Sequence, residues 1–349
     1  MIYGAYGYTG ELCVREAIDR GQRPVLAGRN KAALDALAQR HGLEARCFAL
    51  DDAEALAQGL RGVVLVLHCA GPFSATSAPM VEACAQSGSH YLDVTGELSV
   101  FEALHGQNER WQQAGIVVMP GVGFDVVPTD CLAAELSRQM PDAVALRLAF
   151  QTRGGNTSPG TARTMVESLG LPTAVRRGGA LESVAPGSLC REIDFGKGPV
   201  PTTAISWGDV STAWYTTGIG NIEVFLALPQ KLIDKMGWTA RFAGLVQLPP
   251  VQGLLKWRIN ASVRGPSDAA RDQSSTWLWG EVEAENGSLL SMTMTCPNGY
   301  SLTAEAAVDL AIRVLNKEVE PGAWTPAAAF GPDLVLGYRG VRRSAAVVG

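Results

Sequence analysis

Short apolar runs alternate with amphipathic stretches through the first third of the chain. Six such runs predict strands, at the chain start and at 23–28, 45–50, 62–70, 90–94 and 116–119. The stretches between them place apolar residues at helical spacing, as Leu34 and Leu37 do. The run at 62–70 is apolar almost throughout, as expected of a strand that helices cover on both faces. This order predicts an α/β domain, a Rossmann-like doubly wound parallel sheet.

The pattern changes after residue 125. Residues 144–152 alternate between apolar and polar, which predicts a half-buried strand. Asn286-Gly287 separates two further alternating runs, and this dipeptide is a strong short-range signal of a β-hairpin. Helical spacing recurs in three places, at 128–140, 161–169 and 304–315. We therefore expect a second, α+β domain with a mixed, mostly antiparallel sheet.

Composition and charge narrow the class of protein. The chain has 349 residues, of which 47% are hydrophobic and 18% charged, as in ordinary globular proteins. Its net charge of −5 argues against a nucleic-acid partner. Seven cysteines without any C-x-x-C spacing indicate a reducing compartment, and neither a disulfide framework nor a zinc site. All four histidines precede residue 106, which argues against Ser-His-Asp hydrolysis and against a metal centre.

Two features bear on location and partners. No signal peptide precedes the first glycine, at residue 4, so a cytoplasmic location is expected. Residues 242–255 form an apolar region that Pro249-Pro250 interrupts. One interpretation of this region is a contact with a membrane surface, and the more common one is a helix of the core or of a homodimer interface.

Three glycines, Gly4, Gly7 and Gly10, lie between the first predicted strand and the first predicted helix. A strand, a glycine turn and a helix present backbone N–H groups and the positive end of a helix dipole to a pyrophosphate. The spacing is G-x-x-G-x-x-G, whereas the usual dinucleotide motif is G-x-G-x-x-G. A tight turn without a ligand is the alternative, and the position of this turn in a doubly wound domain makes it the lesser one.

The end of the second predicted strand distinguishes NAD from NADP. An acidic residue here would bind the ribose 2′-hydroxyl of NAD, whereas an Arg accommodates the 2′-phosphate of NADP. Gly28 is followed by Arg29 and Asn30, and the next carboxylate is Asp35. A guanidinium matches a phosphate in a bidentate manner, and an amide adds a donor. The sequence therefore favours NADP(H), with a solvated Arg29 and a helix-capping Asn30 as the structural alternative.

Seven stretches, in order along the chain, resemble those of the saccharopine dehydrogenase-like oxidoreductases, particularly the branch with the trans-acting enoyl reductases. They lie at 4–10, 28–30, 70–73, 91–97, 121–130, 207–213 and 298–305. The resemblance implies an N-terminal NADP-binding domain, a second domain of mixed sheet and helices, and hydride transfer. Tyr6 departs from the family, which usually has Thr there. Two placements are open for this tyrosine, near the adenosine or over the pyrophosphate.

The expected domain boundaries follow from these features. Residues 1–125 form the NADP-binding Rossmann domain, and residues 126–302 form an α+β domain for substrate binding or dimerisation. Residues 303–349 form a C-terminal helix and tail that pack back on the Rossmann domain. A small or lipid-like substrate is expected between the two domains.

Ligands bind at the carboxyl ends of the strands in doubly wound sheets, so the loops there supply the candidate cofactor contacts. Gly71 lets the backbone approach a ligand, and Pro72 sets the direction of its loop. The candidate contacts are Gly4, Tyr6, Gly7, Tyr8, Thr9, Gly10, Arg29, Asn30, Asp51, Ala70, Gly71, Pro72, Phe73 and Thr95.

Reduction of a C=C, C=N or C=O group also needs a proton. No Tyr-x-x-x-Lys pair is present, which argues against a short-chain dehydrogenase. Asp125 and Glu97 are the candidate catalytic residues, although Asp125 is equally suited to cap the following helix and Glu97 to form a buried ion pair. The predicted function is an NADP(H)-dependent oxidoreductase, and the alternative is a non-catalytic NADP-binding sensor or accessory protein.

Overall fold

The computed structural model describes most of the chain. The described residues are 1–154, 158, 160–162, 166, 171–239, 248, 250–253, 258 and 265–349. The predicted helix at 161–169 and the apolar region at 242–255 fall largely outside this set, and both stay predictions.

The described residues form the following strands and helices. In chain order the strands are Ile2–Tyr3 (β1), Leu26–Gly28 (β2), Ala45–Cys47 (β3), Leu65–His68 (β4), His90–Asp93 (β5), Val117–Met119 (β6), Ala143–Arg153 (β7), Thr173–Arg177 (β8), Ala180–Val184 (β9), Cys190–Asp194 (β10), Pro199–Ala204 (β11), Asn221–Ala227 (β12), Ser275–Ala284 (β13), Leu289–Pro297 (β14), Gly322–Ala323 (β15), Arg342–Arg343 (β16) and Val347–Val348 (β17). The helices are Tyr8–Asp19 (α1), Lys31–His41 (α2), Ala53–Gly59 (α3), Phe73–Ser87 (α4), Leu98–His105 (α5), Asn108–Gln113 (α6), Val127–Gln139 (α7), Asp209–Thr217 (α8), Gln230–Thr239 (α9), Asp268–Asp272 (α10), Gly299–Leu315 (α11) and Pro326–Phe330 (α12).

Contacts divide the chain into two compact units. The first comprises residues 1–127 and 299–331, and the second comprises residues 128–298 and 332–349. The helix predicted near the C-terminus thus falls in the first unit, and the tail after residue 331 falls in the second. The functional division at 125 and 302 stays a prediction.

The sheet of the first unit has the strand order β15-β6-β5-β4-β1-β2-β3, and all its pairs are parallel. Strands β1, β2 and β3 extend to one side and β4, β5 and β6 to the other, so the order reverses between β1 and β4. Such a reversal opens a crevice at the carboxyl ends of the strands. The predicted Rossmann-like fold is confirmed, and β15 is a strand that the apolar pattern did not predict.

Capping residues explain where the helices of this unit begin and end. The Asn30 side chain accepts a hydrogen bond from the Ala33 N–H, and the Asp52 side chain accepts one from the Ala55 N–H. Gly42 ends α2 in the left-handed conformation, with φ of 62°. The helix after β4 begins at Phe73, and two separate helices, α5 and α6, lie between β5 and β6.

The second unit is built on a mixed sheet. Its strand order among the described residues is β10-β11-β12-β7-β13-β14-β16, and the pair of β12 with β7 is parallel while the others along this path are antiparallel. The hairpin predicted across Asn286-Gly287 is confirmed as β13 and β14. Gly280 of β13 lets the sheet approach α7, because a Cβ there would lie 2.7 Å from Leu136 Cδ1. The predicted α+β character is therefore confirmed.

No helix among the described residues has both the length and the apolar character needed to cross a bilayer.

The first prediction concerns the packing of α1 on the turn before it. A Cβ at Gly10 would lie 2.2 Å from the Gly4 carbonyl oxygen. Alanine normally favours a helix by about 0.5–1 kcal/mol relative to glycine. We expect Gly10→Ala instead to lower the free energy of unfolding by about 2 kcal/mol, because the clash is with backbone that cannot move aside. Urea denaturation measures this difference.

Gly337→Ala is the control, since no atom lies within 4 Å of a Cβ there. Its effect should stay within about 0.5 kcal/mol. A Gly10→Ala variant as stable as the wild type would show that the turn is not closely packed.

Candidate functional site

The glycine turn connects β1 to α1 at the reversal of strand order. Gly4 has φ of +80°, and a Cβ there would lie 2.9 Å from Ala70 Cβ, so both conformation and space require glycine. The Gly7 N–H donates to the Gly4 carbonyl at 2.9 Å. Gly7 is the N-cap residue of α1 and provides no side-chain cap. The backbone N–H groups and the helix dipole at this end therefore suit an anion.

Tyr6 lies against the end of the neighbouring strand β2. A Cβ at Gly28 would be 2.5 Å from Tyr6 Cε1, so the ring covers this glycine. The Tyr6 hydroxyl accepts a hydrogen bond from the Asn30 N–H at 3.2 Å. The structure therefore places the Tyr6 ring at the β2 end, and its placement relative to a bound adenosine stays a prediction.

Arg29 and Asn30 follow β2 and are both exposed. The Asn30 Oδ1 atom caps α2, so the structural alternative for this residue is realised and only its carboxamide NH₂ group is left for a ligand. The Arg29 side chain has neither an ion-pair nor a hydrogen-bond partner among the residues that the structure describes. A free guanidinium is thus available at this end of the sheet.

Asp51 belongs to the same edge of the sheet. Burial, followed by the neighbouring Tyr6, raises the pKa of Tyr3 to about 12, and the charges of Arg29 and Asp51 also act on this hydroxyl. The Tyr3 hydroxyl donates to the Phe48 carbonyl at 3.1 Å and fixes the chain just before Asp51. Arg29 and Asp51 therefore flank the carboxyl ends of β1, β2 and β3.

The loop between β4 and α4 contains a cis peptide bond between Gly71 and Pro72. Thr76 holds this loop, because its hydroxyl donates to the Ala70 carbonyl at 2.7 Å. The buried His68 lies 3.0 Å from the same hydroxyl through its Nε2 atom. Burial lowers the pKa of His68 to about 3, so its ring is neutral and has a structural role.

Glu97 caps α4. One carboxylate oxygen accepts from the Phe73 N–H and the other from the Ser74 N–H, each at 2.7 Å. The Glu97 N–H in turn donates to the Thr95 hydroxyl at 3.0 Å. Both Glu97 oxygens thus have a structural use at the positive end of a helix, and within the described part of the chain the carboxylate neither forms the predicted ion pair nor stays free. Its catalytic assignment stays a prediction that this geometry does not support.

The fully buried Asp93 connects the loops that follow β5 and β6. Its Oδ1 atom accepts from the Thr95 N–H at 2.9 Å and from the Gly121 N–H at 3.0 Å. Its Oδ2 atom accepts from the Tyr91 hydroxyl at 2.7 Å. Burial raises the pKa of Asp93 to about 6, although the three hydrogen bonds favour the carboxylate. Asp93 therefore positions Thr95, one of the predicted cofactor contacts.

Asp125 follows β6 and lies beside the loop that Asp93 holds. A Cβ at Gly96 would lie 2.7 Å from Asp125 Oδ2, so only glycine admits the carboxylate at this position. The Asp125 carboxylate has no hydrogen-bond or ion-pair partner within the described part of the chain. Burial raises the pKa of Asp125 to about 6. The predicted helix cap is not formed, and the group combines an unused carboxyl with a raised pKa.

The first turn of α11 contacts this edge of the first unit, through residues that the sequence analysis did not identify as contacts. Tyr300 meets Tyr8 edge to face, with ring centroids 5.0 Å apart. Thr303 accepts a hydrogen bond from the Phe124 N–H at 2.9 Å. The stretch at 298–305 carried the family resemblance, but nothing in its local pattern indicated which loops it would contact.

In the second unit, the stretches that carry the family resemblance are also connected by hydrogen bonds. The Thr129 hydroxyl of α7 donates to the buried Asp209 of α8 at 2.8 Å, and the Thr216 hydroxyl donates to Asp130 at 2.5 Å. These pairs connect two helices, which gives the motif residues a packing role. No group of three His, Cys, Asp or Glu suited to a metal ion occurs within the described ranges.

The parallel sheet and its glycine turn define a dinucleotide-binding domain of the Rossmann type. Residues 1–119 match the family model of the saccharopine dehydrogenase NADP binding domain. The predicted resemblance to the saccharopine dehydrogenase-like oxidoreductases is thereby confirmed, and so is a nicotinamide cofactor.

Two relatives are similar to the same part of the chain. A probable mitochondrial saccharopine dehydrogenase-like oxidoreductase of Arabidopsis thaliana is 33% identical over 147 residues, covering 37% of this chain and 32% of the relative. The trans-acting enoyl reductase of Mycobacterium tuberculosis is 30% identical over 148 residues, covering 40% of this chain and 35% of the relative. The chain thus spans about a third of the length of these relatives in the matched segments.

A solved structure shares the fold along the whole chain. Saccharopine dehydrogenase (L-Glu forming) from Saccharomyces cerevisiae aligns with a TM-score of 0.67, covering 99% of both chains at 13% sequence identity. This likeness supports the two-part α/β and α+β architecture.

The second prediction concerns Asp93. We expect Asp93→Ala to lower the free energy of unfolding by at least about 3 kcal/mol, because three buried donors lose their acceptor at about 1–3 kcal/mol each. Asp93→Asn keeps an acceptor oxygen for the Thr95 and Gly121 N–H groups and should cost less than half as much. Equal losses in the two variants, measured by urea denaturation, would contradict the positioning role.

Proposed function

We propose that the protein is an NADP(H)-dependent oxidoreductase that transfers hydride to a C=C, C=N or C=O group of a small or lipid-like substrate. The observation that carries this proposal is the exposed Arg29 at the carboxyl end of β2, whose side chain has no partner among the described residues and which precedes Asn30, the N-cap of α2. A cation here accommodates the 2′-phosphate that distinguishes NADP from NAD.

The residues of the first unit fit the cofactor. The turn packs against α1 and the loop after β4 so closely that neither Gly4 nor Gly10 has space for a side chain. Because no side chain covers the backbone N–H groups there, they can approach a pyrophosphate. Arg29 and the Asn30 carboxamide would hold the 2′-phosphate. The loop at 70–73 and Thr95 would contact the nicotinamide half, and Asp93 holds Thr95 in place.

The bound nicotinamide supplies or accepts the hydride. Asp125 supplies the accompanying proton in this proposal, because its carboxyl has no partner among the described residues and burial raises its pKa to about 6. Glu97 caps α4 through both oxygens and is not assigned this role. The name of the mycobacterial relative supports a conjugated C=C bond as one acceptor, and the resemblance alone does not select it over C=N or C=O.

The alternative function is an NADP-binding sensor or accessory protein without turnover. Glu97 is used as a helix cap, so only Asp125 is left of the two predicted proton donors. The smaller number of donors favours this alternative. Turnover separates the two functions. Oxidation of NADPH with any member of a panel of enoyl, imine and keto compounds supports the enzyme, and binding without oxidation across the panel supports the sensor.

The third prediction tests the NADP site. We expect Arg29→Ala to weaken NADPH binding about 10- to 100-fold and NADH binding less than twofold, because a charge-assisted contact to phosphate contributes about 1.5–3 kcal/mol. Fluorescence titration with both cofactors measures the effect. The control is Lys31→Ala, which removes a nearby cation that already pairs with Asp35 at 2.8 Å. Equal loss of NADPH and NADH affinity in Arg29→Ala would remove the basis of the proposal.

The fourth prediction concerns the proton donor. An acid with a pKa of about 6 is protonated below that value, so turnover that depends on Asp125 should fall as pH rises through about 6. Asp125→Asn should bind NADPH normally and lose turnover. Carboxyl ¹³C NMR gives a readout without substrate, in which a resonance titrating near pH 6 disappears in Asp125→Asn. A resonance with an ordinary aspartate pKa at this position would contradict the assignment.

A further inference from the structure

We infer that the Tyr6 hydroxyl is part of the 2′-phosphate subsite and adds to the preference for NADP over NAD that Arg29 provides. The inference rests on the proposed NADP function and adds a specificity-determining residue to it. It concerns the position at which the chain departs from its family.

The Tyr6 hydroxyl has a donor left after its observed contact. A phenol has one O–H donor and two acceptor lone pairs. One lone pair accepts the Asn30 N–H at 3.2 Å, and this contact leaves the O–H proton for another acceptor. A threonine at position 6 would be too short to reach the end of β2. The tyrosine therefore accepts the backbone N–H of Asn30 and adds a hydroxyl donor of its own at the end of β2.

Three donor groups belong to Arg29 and Asn30, which follow β2, and to Tyr6, which contacts the Asn30 N–H. Tyr6 contributes an O–H, Asn30 contributes a carboxamide NH₂ because its Oδ1 atom is used at Ala33, and Arg29 contributes a guanidinium without a partner in the described part of the chain. All three are hydrogen-bond donors, and one carries positive charge. A phosphate offers acceptors only and a negative charge, so it matches this set better than a ribose hydroxyl does.

Gly28 shows that the position of the Tyr6 ring is built into the fold. Any side chain at residue 28 would meet the ring, since even a Cβ would lie 2.5 Å from Tyr6 Cε1. The bond from the Asn30 N–H fixes the ring from the other side. The hydroxyl thus has a defined location at the Asn30 N–H, one residue along the chain from Arg29, which a freely rotating side chain would not provide.

The test uses fragments of the cofactor, so that only the phosphate differs between probes. The full chain is titrated calorimetrically with 2′,5′-ADP and with 5′-AMP. We expect Tyr6→Phe, which keeps the ring on Gly28, to weaken 2′,5′-ADP binding about tenfold and 5′-AMP binding less than twofold. Gly28→Ala, which displaces the ring but retains the hydroxyl, should show the same selective loss.

Tyr215→Phe is the matched control, because it removes a tyrosine hydroxyl from α8 in the second unit. Its affinity for both probes should equal that of the wild type. Equal weakening of both probes in Tyr6→Phe would show that Tyr6 only packs, and no change in either would show that its hydroxyl does not reach the ligand. Either result overturns the inference.

Failure of the proposed function gives a different result. A wild-type protein that binds 2′,5′-ADP no more tightly than 5′-AMP has no 2′-phosphate subsite, and the NADP proposal then fails together with the inference. A wild type that prefers 2′,5′-ADP, combined with a Tyr6→Phe variant of unchanged preference, retains the NADP proposal and rejects the role of Tyr6.

Discussion

The close approach of backbone segments around Gly4 is the constraint on which the candidate site depends. A Cβ at Gly4 would meet Ala70, and a Cβ at Gly10 would meet the Gly4 carbonyl. These distances mean that the first turn, the start of α1 and the loop after β4 pack through main-chain atoms. The positive end of α1 is consequently held at the reversal of strand order, where an anion can bind. Glycine is required here for space as well as for conformation.

Buried and half-buried carboxylates organise the rest of this edge, and they have different uses. Asp93 accepts three hydrogen bonds and connects the loops after β5 and β6. Glu97 accepts hydrogen bonds from the first two N–H groups of α4 and places a negative charge at the positive end of this helix. Asp125 has no such partner, and burial nevertheless raises its pKa to about 6. Two carboxylates thus stabilise the loops, and the third is the one whose environment suits proton transfer.

Local patterns in the sequence predicted the strands, helices and turns that neighbouring residues determine. Hydrophobic periodicity and Asn-Gly turn chemistry anticipated the parallel sheet and the β13–β14 hairpin. The same patterns could not predict β15, because two residues are too few to show a period. They also missed the contact of Tyr300 with Tyr8, which joins segments nearly 300 residues apart.

The candidate site shows the same limit at the level of side chains. Residues that act through the main chain, such as Gly4 and Gly10, are recognisable from spacing because the strand–turn–helix unit is contiguous. Glu97 is different, since its partners at Phe73 and Ser74 belong to another βα connection. Whether a carboxylate caps a helix or stays unpaired depends on packing between connections, and a single sequence carries no direct signal of it.

The presence of tyrosine rather than threonine at position 6 changes where the side-chain hydroxyl lies. A threonine, which is usual at this position in the family that the sequence resembles, has a shorter side chain and would keep its hydroxyl closer to the glycine turn. The tyrosine places its hydroxyl at the end of β2, where it accepts the Asn30 N–H. Gly28 makes this possible by having no side chain under the ring. In the proposed subsite this hydroxyl contacts the 2′-phosphate, which increases discrimination between NADP and NAD because only NADP carries that group.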